Sequence, residues 1–211
     1  MGRRTEPGIS ASGRLGWRVG KPLAGALFRR WFSLEVGGTT IPEGPIVVAA
    51  NHFSHLDPFV AGIAVGRPFR FLAVDELYGN SRVFDSTTTW LGAIPMSRTR
   101  APLGALRLAL AELAAGGSVG LFPEGVRVWT WGEVPLKRGA GWLAARAGVP
   151  LVPLAITGTD LAYGRGARRI SRVPLRCTVC EPISPLPGRE GSFEMMAEWR
   201  RRIDTAIAAM R

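Results

Sequence analysis

The chain has 211 residues, 46% of them hydrophobic, and a formal net charge of +11. That length fits one α/β domain with at most a short extra arm. No stretch approaches the ~20 apolar residues of a membrane span, and no uninterrupted apolar core follows Met1-Gly2-Arg3-Arg4 as a signal peptide requires. The expectation is a protein at the cytoplasmic face of a membrane, held there peripherally.

Residues 1–13 read as a disordered polar tail. Residues 14–36 interleave Arg14, Arg18, Lys21, Arg29 and Arg30 with Trp17, Leu23, Leu27, Phe28, Trp31 and Phe32. This pattern predicts an amphipathic segment lying in an anionic membrane interface, with its basic side chains snorkelling to headgroups, or else a helix packed on the core. Pro22 and glycines at 16, 20 and 25 argue against one long helix. We therefore divide the chain into an arm, residues 1–36, and an α/β domain, residues 37–211.

The domain alternates. Ile46–Ala50 reads as a buried strand, Phe59–Val65 as a short helix and Phe69–Val74 as a strand. Leu103, Leu106, Leu110 and Leu113 mark a helix from Pro102 to Ala115, ended by Gly116-Gly117. Ser118–Phe122 is a strand, Lys137–Ala147 a helix closed by Gly148, Val149–Thr157 and Leu175–Cys180 strands, and Phe193–Met210 an amphipathic helix. Strands separated by helices predict a mainly parallel sheet with helices on both faces. Functional groups in such sheets gather beyond the carboxyl ends of strands. Asn51–Asp57, Pro123-Glu124-Gly125 and Thr157-Gly158-Thr159 stand at such ends.

Asn51-His52-Phe53-Ser54-His55-Leu56-Asp57-Pro58 holds both histidines of the chain. Asp57 and Pro58 suit the N-cap and first position of a helix. An imidazole can take the proton of an attacking alcohol while a carboxylate on its other nitrogen fixes the tautomer. On a regular helix a five-residue offset sets the two side chains about 140° apart, so they meet only across a turn. A metal site is disfavoured by the want of a third histidine, and a serine hydrolase by the want of a Gly-x-Ser-x-Gly elbow. Cys177 and Cys180, three apart in an alternating strand, point to opposite faces and suit neither a redox pair nor a metal clip.

Further clusters are Gly92 to Arg98, Phe122-Pro123-Glu124-Gly125 and the proline-interrupted apolar run Val149–Ile156. In this order and spacing, together with Asn51, His52, Ser54 and Asp57, they resemble the four signature blocks of the glycerolipid acyltransferases, which include the 1-acylglycerol-3-phosphate O-acyltransferases. The resemblance covers about residues 33–185. It implies that His52 is the catalytic base and Asp57 its orienting partner. It implies acceptor-site roles for Asn51, Ser54, Arg98, Glu124, Gly125, Arg127 and Lys137, with Arg98 and Lys137 near the acceptor phosphate. Glu124 would repel phosphate, so its role would be to bond a hydroxyl or hold a neighbouring base. The implied donor is an acyl thioester of coenzyme A or acyl carrier protein, with no metal or other cofactor, and the acceptor is a phosphate-bearing lysolipid.

The third block departs from the usual pattern. Val126-Arg127-Val128 keeps the arginine but lacks two hydroxyls, Trp129-Thr130-Trp131 follows, and Asp75 stands where a basic residue is common. These changes leave other acceptors open, such as a glycolipid, an ornithine-type lipid or a specialised metabolite. Arg165, Arg168, Arg169, Arg172 and Arg176 form a second basic cluster. A non-enzymatic binder of anionic membrane or nucleic acid is the alternative from another class; the interleaved apolar residues favour membrane, and no nucleic-acid partner is expected.

Overall fold

The computed structural model describes residues 8–9, 11–74, 93–96 and 103–210. Seven strands form one sheet: β1 (Glu35–Gly38), β2 (Val47–Ala50), β3 (Arg70–Val74), β4 (Ile94–Met96), β5 (Val119–Leu121), β6 (Leu151–Thr157) and β7 (Arg176–Val179). Their spatial order is β1-β7-β6-β2-β5-β3-β4, and only the β6–β7 pair is antiparallel. The predicted strands match to within two residues at each end. The sequence reading missed β1 and β4. Both are short edge strands whose residues gain extended structure from a neighbour rather than from their own alternation.

Among the described residues six helices cover the sheet: α1 (Ala11–Phe32), α2 (Asp57–Val65), α3 (Leu103–Ala114), α4 (Gly139–Ala147), α5 (Thr159–Tyr163) and α6 (Gly188–Met210). Period-two alternation assigns the strand side chains to two cores. Val47, Ala49, Leu151 and Ala155 face α3, α4 and α6, with the indole of Trp199 fully buried and donating to the Ala49 carbonyl at 3.0 Å. Ile46, Val48, Ala50, Val152, Leu154 and Ile156 face α1 and α2. Cys177 lies in this second core, whereas Cys180 packs against the first, so the strand turns the two thiols to opposite faces. Both are free, and burial raises both thiols, Cys180 to about 11.

Residues 11–32 form a single helix, although Pro22 and the glycines at 16, 20 and 25 argue against one. Trp17, Ala24, Phe28 and Phe32 recur at helical spacing and pack on the second core. That packing outweighs the local penalty of Pro22, whose ring is on the exposed side. Trp17 fits because Gly62 of α2 has no side chain: a Cβ there would lie 3.3 Å from its ring. Lys21 ties the same two helices together by donating to the Gly66 carbonyl at 2.9 Å.

The topology brings the carboxyl ends of β6, β2 and β5 side by side. In the register of the sheet Val48 stands between Val152 and Gly120. The three polar clusters that follow these strands therefore share one edge.

Candidate active site

Beyond β2 the chain leaves the sheet and turns sharply before α2. Asn51 locks the exit. Its side-chain amide donates to the Ile156 carbonyl at 2.8 Å, and its oxygen accepts the Ile156 N–H at 2.7 Å. The side chain thus continues the β2–β6 pairing where the β2 backbone has already turned away. Ser54 is equally occupied: its hydroxyl donates to the Tyr163 carbonyl at 2.5 Å and accepts the Leu56 N–H at 3.1 Å. Both residues are wholly buried. Their polar atoms hold the turn, in place of the substrate contact expected from the sequence.

Asp57 is not the N-cap predicted for α2. That position belongs to Leu56, and no side chain caps the helix. The carboxylate instead turns back over the preceding residues. Its Oδ2 accepts the Phe53 and Ser54 backbone N–H groups, each at 2.7 Å, and lies 2.9 Å from His52 Nδ1. Pro58 suits this arrangement, because it starts the helix without needing an N–H partner. A fully buried carboxylate fixed by two backbone donors is a rigid support for the imidazole. With the proton on Nδ1 directed at Asp57, the second ring nitrogen of His52 carries the free lone pair. It makes no hydrogen bond among the described residues.

Two further contacts fix the ring. It stacks on Phe122 with centroids 4.0 Å apart and planes 14° from parallel. Phe122 in turn stacks on Phe71 at 5.2 Å. From β5, Glu124 Oε1 accepts the His52 backbone N–H at 3.1 Å. Glu124 is buried, and its other oxygen has no partner among the described residues. Burial is the main cause that lifts its carboxyl to about 7, with a smaller push from the Asp57 charge. The buried glutamate therefore holds the backbone of His52. Neither the stacking role of Phe122 nor the use of the Tyr163 carbonyl is legible in sequence spacing.

Gly125 adopts a left-handed conformation, φ +67°, and a Cβ there would lie 2.6 Å from Lys137 Nζ. The missing side chain lets the exposed lysine cross this turn, while the Lys137 N–H donates to the Pro123 carbonyl at 2.7 Å. Val128 is buried and its N–H donates to the His52 carbonyl at 2.9 Å. A hydroxyl at that position would point into the interior, so its absence takes nothing from an open site. Arg127, just before it, is partly buried, and burial followed by the charge of Arg165 pulls its guanidinium below the usual range. His55 lies on the same side. Burial first, then Arg127, lowers its ring, which favours the neutral form.

Trp131 packs edge-on against Trp199 at 5.9 Å and donates to Asp204 at 2.5 Å, a packing role. Trp129 is exposed. Arg98 and Asp75 lie outside the described residues. Among the described residues no three His, Cys, Asp or Glu side chains gather as a metal-ligand set.

The Acyltransferase family model matches residues 33–157, more than half of the chain and the whole of the strand-turn constellation above. A chloroplastic 1-acyl-sn-glycerol-3-phosphate acyltransferase of Brassica napus is 29% identical over 144 residues, 67% of this chain and 41% of the relative. A 1-acyl-sn-glycerol-3-phosphate acyltransferase of Bacillus subtilis is 28% identical over 168 residues, 76% of this chain and 80% of the relative. The chain thus spans about two-fifths of the plant relative and four-fifths of the bacterial one. The fold is similar to the crystal structure of the 1-acyl-sn-glycerophosphate (LPA) acyltransferase of Thermotoga maritima, with a TM-score of 0.72 at 21% identity, covering 95% of this chain and 85% of that one. The α/β sheet, the His52–Asp57 pair beyond its second strand and the match over residues 33–157 place this chain in the acyltransferase family.

Proposed function

We propose that this protein transfers a fatty acyl group from a thioester, of coenzyme A or acyl carrier protein, to the free hydroxyl of a 1-acylglycerol 3-phosphate, giving phosphatidic acid. The observation that carries the reading is the 2.9 Å contact between His52 Nδ1 and Asp57 Oδ2, which leaves the other ring nitrogen as a base. That nitrogen takes the hydroxyl proton as the oxygen attacks the thioester carbonyl. The tetrahedral oxyanion then collapses, the C–S bond breaks, and the imidazolium returns its proton to the leaving thiolate. Asp57 stabilises the imidazolium throughout. The names of the relatives support this choice of acceptor.

On this reading Arg98 and Arg127 recognise the acceptor phosphate, since a guanidinium can bond two of its oxygens at once. Lys137 adds a point charge across Gly125. Incubating the purified protein with an acyl-CoA and lysophosphatidic acid should yield phosphatidic acid, identified by its mass. Free thiol release without an acylated product, or acylation only of acceptors lacking phosphate, would reject the assignment.

The same reading includes peripheral contact with an anionic membrane through α1. The outer side of this helix exposes Leu15, Val19, Leu23, Leu27 and Trp31 at four-residue intervals, between Arg14 and Arg18 at one end and Arg29 and Arg30 at the other. None of these apolar side chains serves the core, and no described helix is long and apolar enough to cross a membrane. An apolar stripe flanked by arginines suits an interface rather than a span. Replacing both Leu23 and Leu27 by Glu should reduce sedimentation with vesicles of anionic phospholipid by about tenfold or more, as burial of two leucines is worth roughly 3 kcal/mol or more. Unchanged sedimentation of a folded double variant would remove α1 from the contact.

A further inference from the structure

The site has a second guanidinium beside Arg127, contributed by a segment beyond all four signature blocks. Two backbone attachments deliver the pair to the catalytic turn. On one flank, the Val128 N–H bonds the His52 carbonyl, so Arg127 is one residue from an anchored position. On the other flank, Ser54 pairs with Gly164 in an isolated antiparallel bridge, and its hydroxyl bonds the Tyr163 carbonyl. Arg165 is thus also one residue from an anchored position.

The two flanks are latched to each other. Glu133 Oε2 accepts the Trp129 N–H at 2.6 Å and the Thr130 N–H at 3.3 Å, while its Oε1 lies 3.8 Å from Arg165. The Arg165 guanidinium sits over the Trp129 ring at 5.6 Å, and a Cβ on Gly166 would be 3.0 Å from the same ring. Position 166 has a left-handed φ of +77°, so glycine is favoured there twice, by conformation and by this close approach.

The electrostatics are unbalanced. Arg127 makes no ion pair among the described residues. Glu133 already serves two backbone donors and meets Arg165 only at the limit of an ion pair. Asp57 engages His52 and two N–H groups through Oδ2, and its charge offsets the Arg165 repulsion at Arg127 only in part. Arg127 and Arg165 are close enough to feel each other's charge. Two neighbouring cations repel in the free protein, and a dianion held by both converts that repulsion into attraction. A phosphate monoester supplies the charge and enough oxygens for two planar forks.

We propose that Arg165 is a second phosphate ligand of the acceptor site, closing with Arg127 around a phosphate monoester beside the His52–Ser54 turn. The proposal rests on the reading of the acceptor as phosphate-bearing. Arg165 is half exposed, so its side chain can leave the Trp129 face without unpacking the core.

The test uses the full chain and sn-glycerol 3-phosphate as probe, titrated calorimetrically against the wild type, Arg165→Gln and Arg165→Lys. Loss of one charge-assisted contact should weaken binding about tenfold or more in Arg165→Gln. The KM for lysophosphatidic acid should rise in parallel, with the KM for acyl-CoA and kcat moving less than about twofold, and Arg165→Lys should recover part of the loss because it keeps charge without the fork. Preference for lysophosphatidic acid over monoacylglycerol should narrow in the Gln variant. Wild-type affinity for the probe in Arg165→Gln, no binding of the probe by the wild type, or equal losses towards acceptor and donor would each overturn the proposal. A wild type that binds glycerol 3-phosphate through Arg165 but acylates no lysophosphatidic acid would reject the acceptor assignment and uphold the phosphate site.

Discussion

His52→Ala should lower kcat for acyl transfer by roughly 10²–10⁴, the contribution of a positioned general base, with little change in the fold. The side chain is only partly buried and its main hydrogen-bond partner, Asp57, keeps its two backbone donors when the ring is gone. The backbone N–H of residue 52 still reaches Glu124. Asp57→Asn is the sharper companion. If the amide oxygen takes the place of Oδ2, all three contacts survive and only the charge is lost. The imidazolium formed during transfer then lacks its counter-charge, and turnover should fall on the order of 10- to 1000-fold, within the range a charge at that distance can supply in a partly polar site. Phosphatidic acid formation by each purified variant, compared at saturating substrates, measures both. Near-normal turnover by His52→Ala would remove the base assignment, and an Asp57→Asn enzyme as fast as wild type would show that orientation alone is needed.

Glu124→Gln should abolish a pH dependence of stability between about pH 4.5 and 7. The carboxyl is raised from its ordinary 4.5 to about 7, chiefly by burial. The folded state therefore holds the proton more tightly than the unfolded chain. The associated stability is fully present below pH 4.5 and is lost as the pH rises through 7. At ~1.4 kcal/mol per pH unit the whole difference is on the order of 3 kcal/mol. Glutamine keeps an oxygen for the His52 N–H and stays neutral at every pH. The variant should consequently gain most of that amount on the wild type between pH 5 and pH 8, as read from denaturant midpoints. An advantage that is the same at both pH values would mean that Glu124 does not titrate in this range. The cost of ionisation comes from burying the charge and from Asp57, whereas the His52 N–H contact itself favours the ionised carboxylate and persists above pH 7.

The two expectations draw on different kinds of information. The His52–Asp57 pair was legible because a strand, a sharp exit and a helix start are written locally, in Ile46–Ala50, Asn51 and Pro58. The partnership of Glu124 with His52 was not. These residues are 72 positions apart and meet only because β2 and β5 are neighbours in the sheet. Similarly, the sequence suggests a role for Asn51 near substrate, yet its amide is spent on Ile156 of β6, 105 residues away.

Local propensity also misjudged α1. Pro22 and the glycines weaken an isolated helix, but Phe28, Phe32 and Trp17 find partners across α2 and the sheet, and that burial decides the outcome. The same packing determines which side of α1 is left outward, namely the Leu15–Trp31 stripe.

By itself, then, the sequence determined the alternation of strands and helices and the turn that joins His52 and Asp57. These depend on residues close in the chain, where periodicity, glycine and proline act directly. The tertiary structure alone decided what surrounds His52: Glu124 beneath its backbone, Phe122 against its ring, and the Arg127–Val128 and Gly164–Arg165 segments attached to its turn. Those contacts follow from the strand order β6-β2-β5, which sets distant segments side by side through cooperative pairing and burial that no short stretch of residues encodes.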